Sequence, residues 1–198
     1  MIESELRNSI KHMRFLIHYQ PIVNLRNGDL AGFEALLRWQ NKDTLMYPEE
    51  FLTMAESSDL LVPLENWVLR DACMQVSRWI DTFKAAFTLN VNLSPKHYAN
   101  PQLIGLLYEA LEKSGLKPSL LRLEITESAM MANPVHVVEI INRLNTMGIR
   151  LAIDDFGTGF SSLSYLKQFD VDELKIDKSF IQEITSNHND TIIVRSTI

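Results

Sequence analysis

LRLEITES at residues 121–128 and LAIDDFGTGFSSLSYLKQFDVDELKIDKSF at residues 151–180 contain three strand-like runs. Each run delivers charged residues where a strand enters a loop. The first delivers Glu124 and Glu127, the second the adjacent pair Asp154 and Asp155, and the third Lys175 and Asp177. Two earlier runs end the same way, on Glu34 and on Asn92. Side chains alternate across a strand, so Arg122, Glu124 and Thr126 share one face and Leu121, Leu123 and Ile125 the other. By the same rule Asn90 and Asn92 oppose Leu89, Val91 and Leu93, and Lys175 and Asp177 oppose Leu174 and Ile176. Glu34, Leu36 and Arg38 fall on one face.

Between the runs the period becomes helical. Residues 100–114 read as a helix ended by Gly115, and residues 133–147 as one entered through Asn133-Pro134 and ended by Gly148. Residues 161–168 read as a short helix. Strands at 87–93, 120–126, 150–155 and 173–176 therefore alternate with helices, which predicts a mostly parallel sheet. The helix-covered side of such a sheet must be apolar. The polar sides then face the other way, into the interior if the sheet closes into a barrel. An antiparallel sheet with its polar side in water also alternates, but the intervening helices argue against it.

Upstream, residues 15–25 and 30–39 form two strands joined by Asn27-Gly28-Asp29, an antiparallel hairpin. Pro48 opens a helix, and residues 59–83 carry a long helical period with Leu64, Trp67, Val68, Cys73, Val76 and Ile80 on one side. Residues 4–13 read as a short polar helix, like the end of a linker from an upstream domain, and residues 190–198 as the start of another helix. Six strands are expected in all.

The 198 residues suit one domain, and 46% hydrophobic with 22% charged residues is an ordinary globular mix. No run is long and apolar enough for a membrane span, and the start is too charged for a secretory signal. The expected location is the cytoplasm, either free or as the cytoplasmic part of a membrane-anchored parent. A net charge of −6 argues against a duplex-DNA binder held by general positive charge. It leaves open a small anionic ligand whose phosphates a metal neutralises. The single Cys73 excludes an internal disulfide and lies in a helical core pattern. The five histidines show no ligand spacing, so a zinc site is not expected. Neither a phosphate-binding GxxxxGK[ST] loop nor a serine nucleophile elbow occurs.

Ionised groups on an inward face are costly unless paired or bound to metal. Glu34, Asn92, Glu124 and the pair Asp154–Asp155 supply hard oxygen donors of the kind Mg²⁺ and Mn²⁺ require. A lone Asp-Asp is more often a turn or helix cap, but five polar strand ends together favour one divalent-metal site that cleaves a phosphodiester. Lys175 either holds an attacking water or pairs with a carboxylate. Arg38 either binds a phosphate or pairs with a carboxylate. Glu127 lies off the inward face and is expected to anchor the loop after Asp155.

Several motifs fall in order: YQPIV at residues 19–23, EALLRW from Glu34, NVNLSP at 90–95, LEITES at 123–128, DDFGTGFSSLSYL at 154–166 and LKIDKSFI at 174–181. In these the chain resembles the EAL-domain family of bacterial cyclic-di-GMP phosphodiesterases over nearly its whole length. The resemblance implies an α/β fold, a TIM-like (βα)8 barrel with an antiparallel first strand. It implies that Glu34, Asn92, Glu124, Asp154 and Asp155 bind Mg²⁺ or Mn²⁺, two ions in the intact domain, with Ca²⁺ inhibitory. Lys175 would position the hydrolytic water, with Glu34 and Asp154 catalytic beside it. Glu127 would hold the active-site loop, and Gln20, Leu36, Arg38 and Asp177 would contact the dinucleotide. The implied reaction opens cyclic-di-GMP to linear pGpG. Implied partners are the dinucleotide, a second copy in a homodimer, and an upstream sensory or GGDEF domain in a longer parent, with no DNA and no direct membrane insertion.

A complete (βα)8 barrel takes roughly 250 residues. The chain is therefore expected to be an EAL domain over residues 1–198, truncated after about six strands with the last two β/α units missing. The family's later glutamate and glutamine motifs are absent. That leaves a weakly active or inactive chain, a non-catalytic cyclic-di-GMP receptor and a dimerisation module as alternatives to an active hydrolase.

Overall fold

A computed structural model describes residues 2–12, 14–132, 134–158 and 169–197. The helix expected at 161–168 and the Asn133 cap lie outside the described residues. The chain divides into two compact units, Met1–Arg122 and Leu123–Ile198.

The first unit opens with helix α1 (Ile2–Lys11) and the hairpin of β1 (Phe15–Val23) and β2 (Leu30–Asn41), paired antiparallel with Gln20 opposite Glu34 and His18 opposite Leu36. The Asn24 carbonyl accepts from Gly28 N–H at 2.8 Å, with Gly28 at φ +76°, a conformation glycine adopts without strain. Ala35, Leu37 and Trp39 are buried, while Glu34, Leu36 and Arg38 on the other face are half-buried. Trp39 stacks on Phe15 and meets Phe51 edge-on, forming an aromatic core.

A short β3 (Thr44–Met46) folds back on β2, which makes seven strands among the described residues where six were expected. Helices α2 (Pro48–Ser57) and α3 (Leu61–Phe83) follow. The buried stripe of α3 runs Leu61, Leu64, Val68, Leu69, Ala72, Cys73 and Val76, while Trp67 and Ile80 are only half-buried. β4 (Thr88–Asn92) pairs parallel with β2, with Glu34 opposite Asn90. Gly32 permits this approach, because a Cβ there would lie 2.1 Å from Thr88 Oγ1 and 2.3 Å from the Thr88 carbonyl oxygen. A single helical turn α4 (Pro95–Tyr98) precedes α5 (Leu103–Ser114), which packs on α3.

β5 (Leu121–Thr126) begins in the first unit and continues in the second. The second unit then has α6 (Glu127–Ala132), α7 (Pro134–Met147), β6 (Arg150–Phe156), β7 (Glu173–Ile176), α8 (Lys178–Gln182) and α9 (His188–Thr197). Leu123, Ile125, Ile140, Ile141, Leu144, Leu151 and Ile153 form its core. β5 neighbours β6, and β6 pairs parallel with β7. Ile153 faces Leu174 and Phe156 faces Ile176, so Asp154 and Asp155 together span the interval that Lys175 spans alone. That is a β-bulge, with Asp155 at φ +54°.

Candidate active site

The bulge places the two aspartates differently from residues of a regular strand. Asp154 is largely shielded, with a side chain 20% exposed, whereas Asp155 turns outward in the left-handed region. The Asp155 carbonyl accepts from Thr158 N–H and from the Thr158 hydroxyl at 2.8 Å, closing the turn. Burial raises the Asp155 pKa above the usual carboxylate value, and the neighbouring charges of Asp154 and Asp177 add to the rise. Lys175 and Lys178 oppose it.

Glu124 has a fully buried side chain. Its Oε2 accepts from Lys175 Nζ at 2.6 Å, and the same ammonium lies 3.2 Å from Asp154 Oδ1. Two carboxylates from β5 and β6 thus converge on one cation from β7. Glu127, 3% exposed, accepts from Gly157 N–H at 2.9 Å. Gly157 has φ +99°, and a Cβ there would meet the Phe180 ring at 2.9 Å. Residues beyond Thr158 in that loop lie outside the described residues.

In the first unit, Asn92 is exposed at the end of β4 and its Nδ2 donates to Glu34 Oε1 at 3.0 Å. Gln20 is exposed and stands opposite Glu34 in the hairpin. Arg38 donates through Nη1 to the Leu37 carbonyl at 2.7 Å, and its guanidinium lies 4.8 Å from the Tyr47 ring centroid. Leu36 is half-buried on the same face as Glu34 and Arg38. Asp177 caps α8, accepting from Ser179 N–H at 2.9 Å and from the Ser179 hydroxyl. Those hydrogen bonds hold its carboxyl below the usual value.

Sequence reasoning singled out Gly157 as part of a glycine-flexible loop after the two aspartates, but not Phe180 or Lys178. Nor did it find the contacts around Ser94, where Glu65 accepts from Ser94 N–H and from its hydroxyl. The glycine after DDF was a visible signal for the turn; no local pattern announced Glu65.

A family model for the EAL domain matches residues 3–198. The chain belongs to the EAL domain family. This EAL domain is 43% identical over 195 residues to a signaling protein of Caulobacter vibrioides, covering 98% of the chain and 24% of that protein. It is 40% identical to the bifunctional diguanylate cyclase/cyclic di-GMP phosphodiesterase MucR of Pseudomonas aeruginosa, covering 98% of the chain and 28% of MucR. The chain thus spans about a quarter of the length of these curated relatives. The solved structure of the MucR phosphodiesterase in complex with c-di-GMP superposes with a TM-score of 0.92 at 41% identity, covering 98% of this chain and 78% of that one. The fold class expected from the sequence therefore stands: a TIM-like (βα) fold with an antiparallel first strand.

Phosphodiesterases of the family are metal-dependent. Among the described residues, no three His, Cys, Asp or Glu side chains gather closely enough to cage an ion. Glu34 stands with Asn92 in the first unit, and Glu124 with Asp154 about Lys175 in the second. The donors are oxygens throughout, which suits a hard divalent cation. The Lys175 ammonium shows that Glu124 and Asp154 can share one positive charge. The donor chemistry of each pair therefore suits such an ion. Among the described residues no helix is long and apolar enough to cross a membrane.

Proposed function

We propose that this EAL domain hydrolyses cyclic-di-GMP to linear pGpG with Mg²⁺ or Mn²⁺, as part of bacterial second-messenger signalling. The observation that carries the reading is the convergence of Glu124 and Asp154 on Lys175, in a chain similar to the MucR phosphodiesterase. Glu34, Asn92, Glu124, Asp154 and Asp155 are the donors assigned to the metal. When bound, the metal neutralises phosphate charge and makes water a better nucleophile at neutral pH.

Hydrolysis forms a bond from the water oxygen to phosphorus and breaks the bond from phosphorus to the 3′-oxygen. The leaving oxygen takes up a proton, and the product keeps a 5′-phosphate. Lys175, fixed by two carboxylates, orients the water. Glu127 holds the turn after Asp155 through Gly157 N–H. Gln20, Leu36, Arg38 and Asp177 contact the dinucleotide, with the Arg38 guanidinium suited to a phosphate. The greater length of the relatives supports a longer parent in which a sensory or GGDEF domain controls this one. The exposed apolar Leu16, Val23 and Leu30 of the β1–β2 hairpin support self-association.

The test is product analysis. The full chain, incubated with cyclic-di-GMP and Mn²⁺, should release pGpG. Glu34→Ala and Asp154→Asn should each abolish its formation. Binding of the dinucleotide without pGpG would make the domain a receptor and overturn the hydrolase.

A further inference from the structure

A part-buried polar cluster lies two residues past Asn92, and the chemistry above does not use it. Glu65, on the second turn of α3, accepts from Ser94 N–H at 3.1 Å through Oε1 and from the Ser94 hydroxyl at 2.9 Å through Oε2. The same Oε2 lies 3.1 Å from His97 Nδ1, within ion-pair reach although not aligned as a hydrogen bond. His97 is 1% exposed, and its Nε2 lies 2.7 Å from the Asn66 side-chain oxygen. Ser94 in turn caps α4, its hydroxyl oxygen accepting from His97 N–H at 3.2 Å.

Glu65 grips the backbone and the side chain of one residue at once. Two bonds from one carboxylate fix the orientation of Ser94 as well as its position. Only Leu93, itself buried, separates that residue from Asn92. Asn92 is exposed and its amide donates to Glu34, so the backbone that carries it sets where that amide points. A carboxylate moved out of water needs strong partners to offset its desolvation, and an apolar residue would fill the space more cheaply. The polar cluster sits at the loop that carries a metal donor.

We propose that Glu65 is a positioning residue for Asn92, acting through Ser94 and backed by the His97–Asn66 pair. The proposal rests on the metal reading given above. Residues behind the ligands of a metal site commonly change metal affinity or activity by about 10- to 100-fold when removed.

The experiment measures Mn²⁺ affinity in the full chain, by electron paramagnetic resonance of the free ion, for the parent, Asn92→Ala, Glu65→Ala and the double variant. Glu65→Ala should weaken Mn²⁺ binding about tenfold, and Glu65→Gln by less because it keeps an acceptor for Ser94 N–H. The double variant should bind no more weakly than Asn92→Ala alone, since Glu65 acts through that side chain. Additive losses, or a lowered melting temperature with Mn²⁺ affinity unchanged, would overturn the proposal. If Glu65→Ala does not fold, Glu65→Gln and Ser94→Ala make the same comparison. If Asn92→Ala leaves Mn²⁺ affinity unchanged, the metal reading falls and takes this proposal with it. A loss in Asn92→Ala with none in the Glu65 variants sinks the positioning role alone.

Discussion

Lys175 Nζ lies 2.6 Å from Glu124 Oε2, joining a lysine that is one-quarter exposed to a carboxylate with no exposed side-chain surface. Removing one partner of a buried pair leaves the other charge poorly compensated. Lys175→Met should therefore cost about 3 kcal/mol of unfolding free energy in urea and abolish pGpG formation. Adding Glu124→Gln should return part of the stability and none of the turnover. A single variant as stable as the parent would contradict the pairing.

Asp155 makes a pH signature in the metal-free protein. Its folded pKa is raised, so the folded state holds a proton that the unfolded chain has already lost. Its contribution to stability is present below the unfolded value and is lost as pH rises through the folded one. Denaturation of metal-free protein, followed as pH rises from the ordinary carboxylate range, should show that decline, and Asp155→Asn should remove it. Added Mn²⁺ should restore stability at neutral pH in the parent more than in the variant.

Gly157→Ala meets two obstacles, a φ of +99° and a Phe180 ring 2.9 Å from the new Cβ. The cost should be about 2 kcal/mol. Phe180→Leu in the same chain should relieve the ring contact but not the backbone strain, so only part of the melting temperature returns. Full recovery would mean that the backbone there is relaxed for alanine.

Cys73 is fully buried, and burial pushes its thiol up to about 12. The thiolate is the reactive form. Ellman's reagent at pH 8 should label it only as fast as the protein unfolds. Rapid labelling of folded protein would show that α3 opens locally.

Much of this was legible in the residues. Asn27-Gly28-Asp29 announced the hairpin, and the Glu34, Asn92 and Glu124 strand ends stood out because polar residues interrupted apolar alternation. Asp154-Asp155 was visible as a pair but its bulge was not, because register depends on the partner strand. β3 was missed because three residues give too little alternation to read. α4 had a signal in Ser94-Pro95, a cap followed by proline at the first helical position, and it was overlooked. α6 begins on Glu127 directly after β5, so the strand's acidic end concealed a helix start. Asp177 capping α8 belongs to the same kind of omission. The Glu65–Ser94 contact joins residues 29 apart in sequence and follows from tertiary packing alone.

The surplus residue between Ile153 and Phe156 also places the chain one codon from a different protein. Excising Asp155 would set Asp154 against Lys175 and keep Phe156 against Ile176, giving an uninterrupted ladder. The same in-frame deletion would remove one acidic group and the left-handed turn together. A slip of three nucleotides would thus remove an acidic group assigned to the proposed metal site while leaving the scaffold better paired, an easy genetic route to a folded descendant that lacks it.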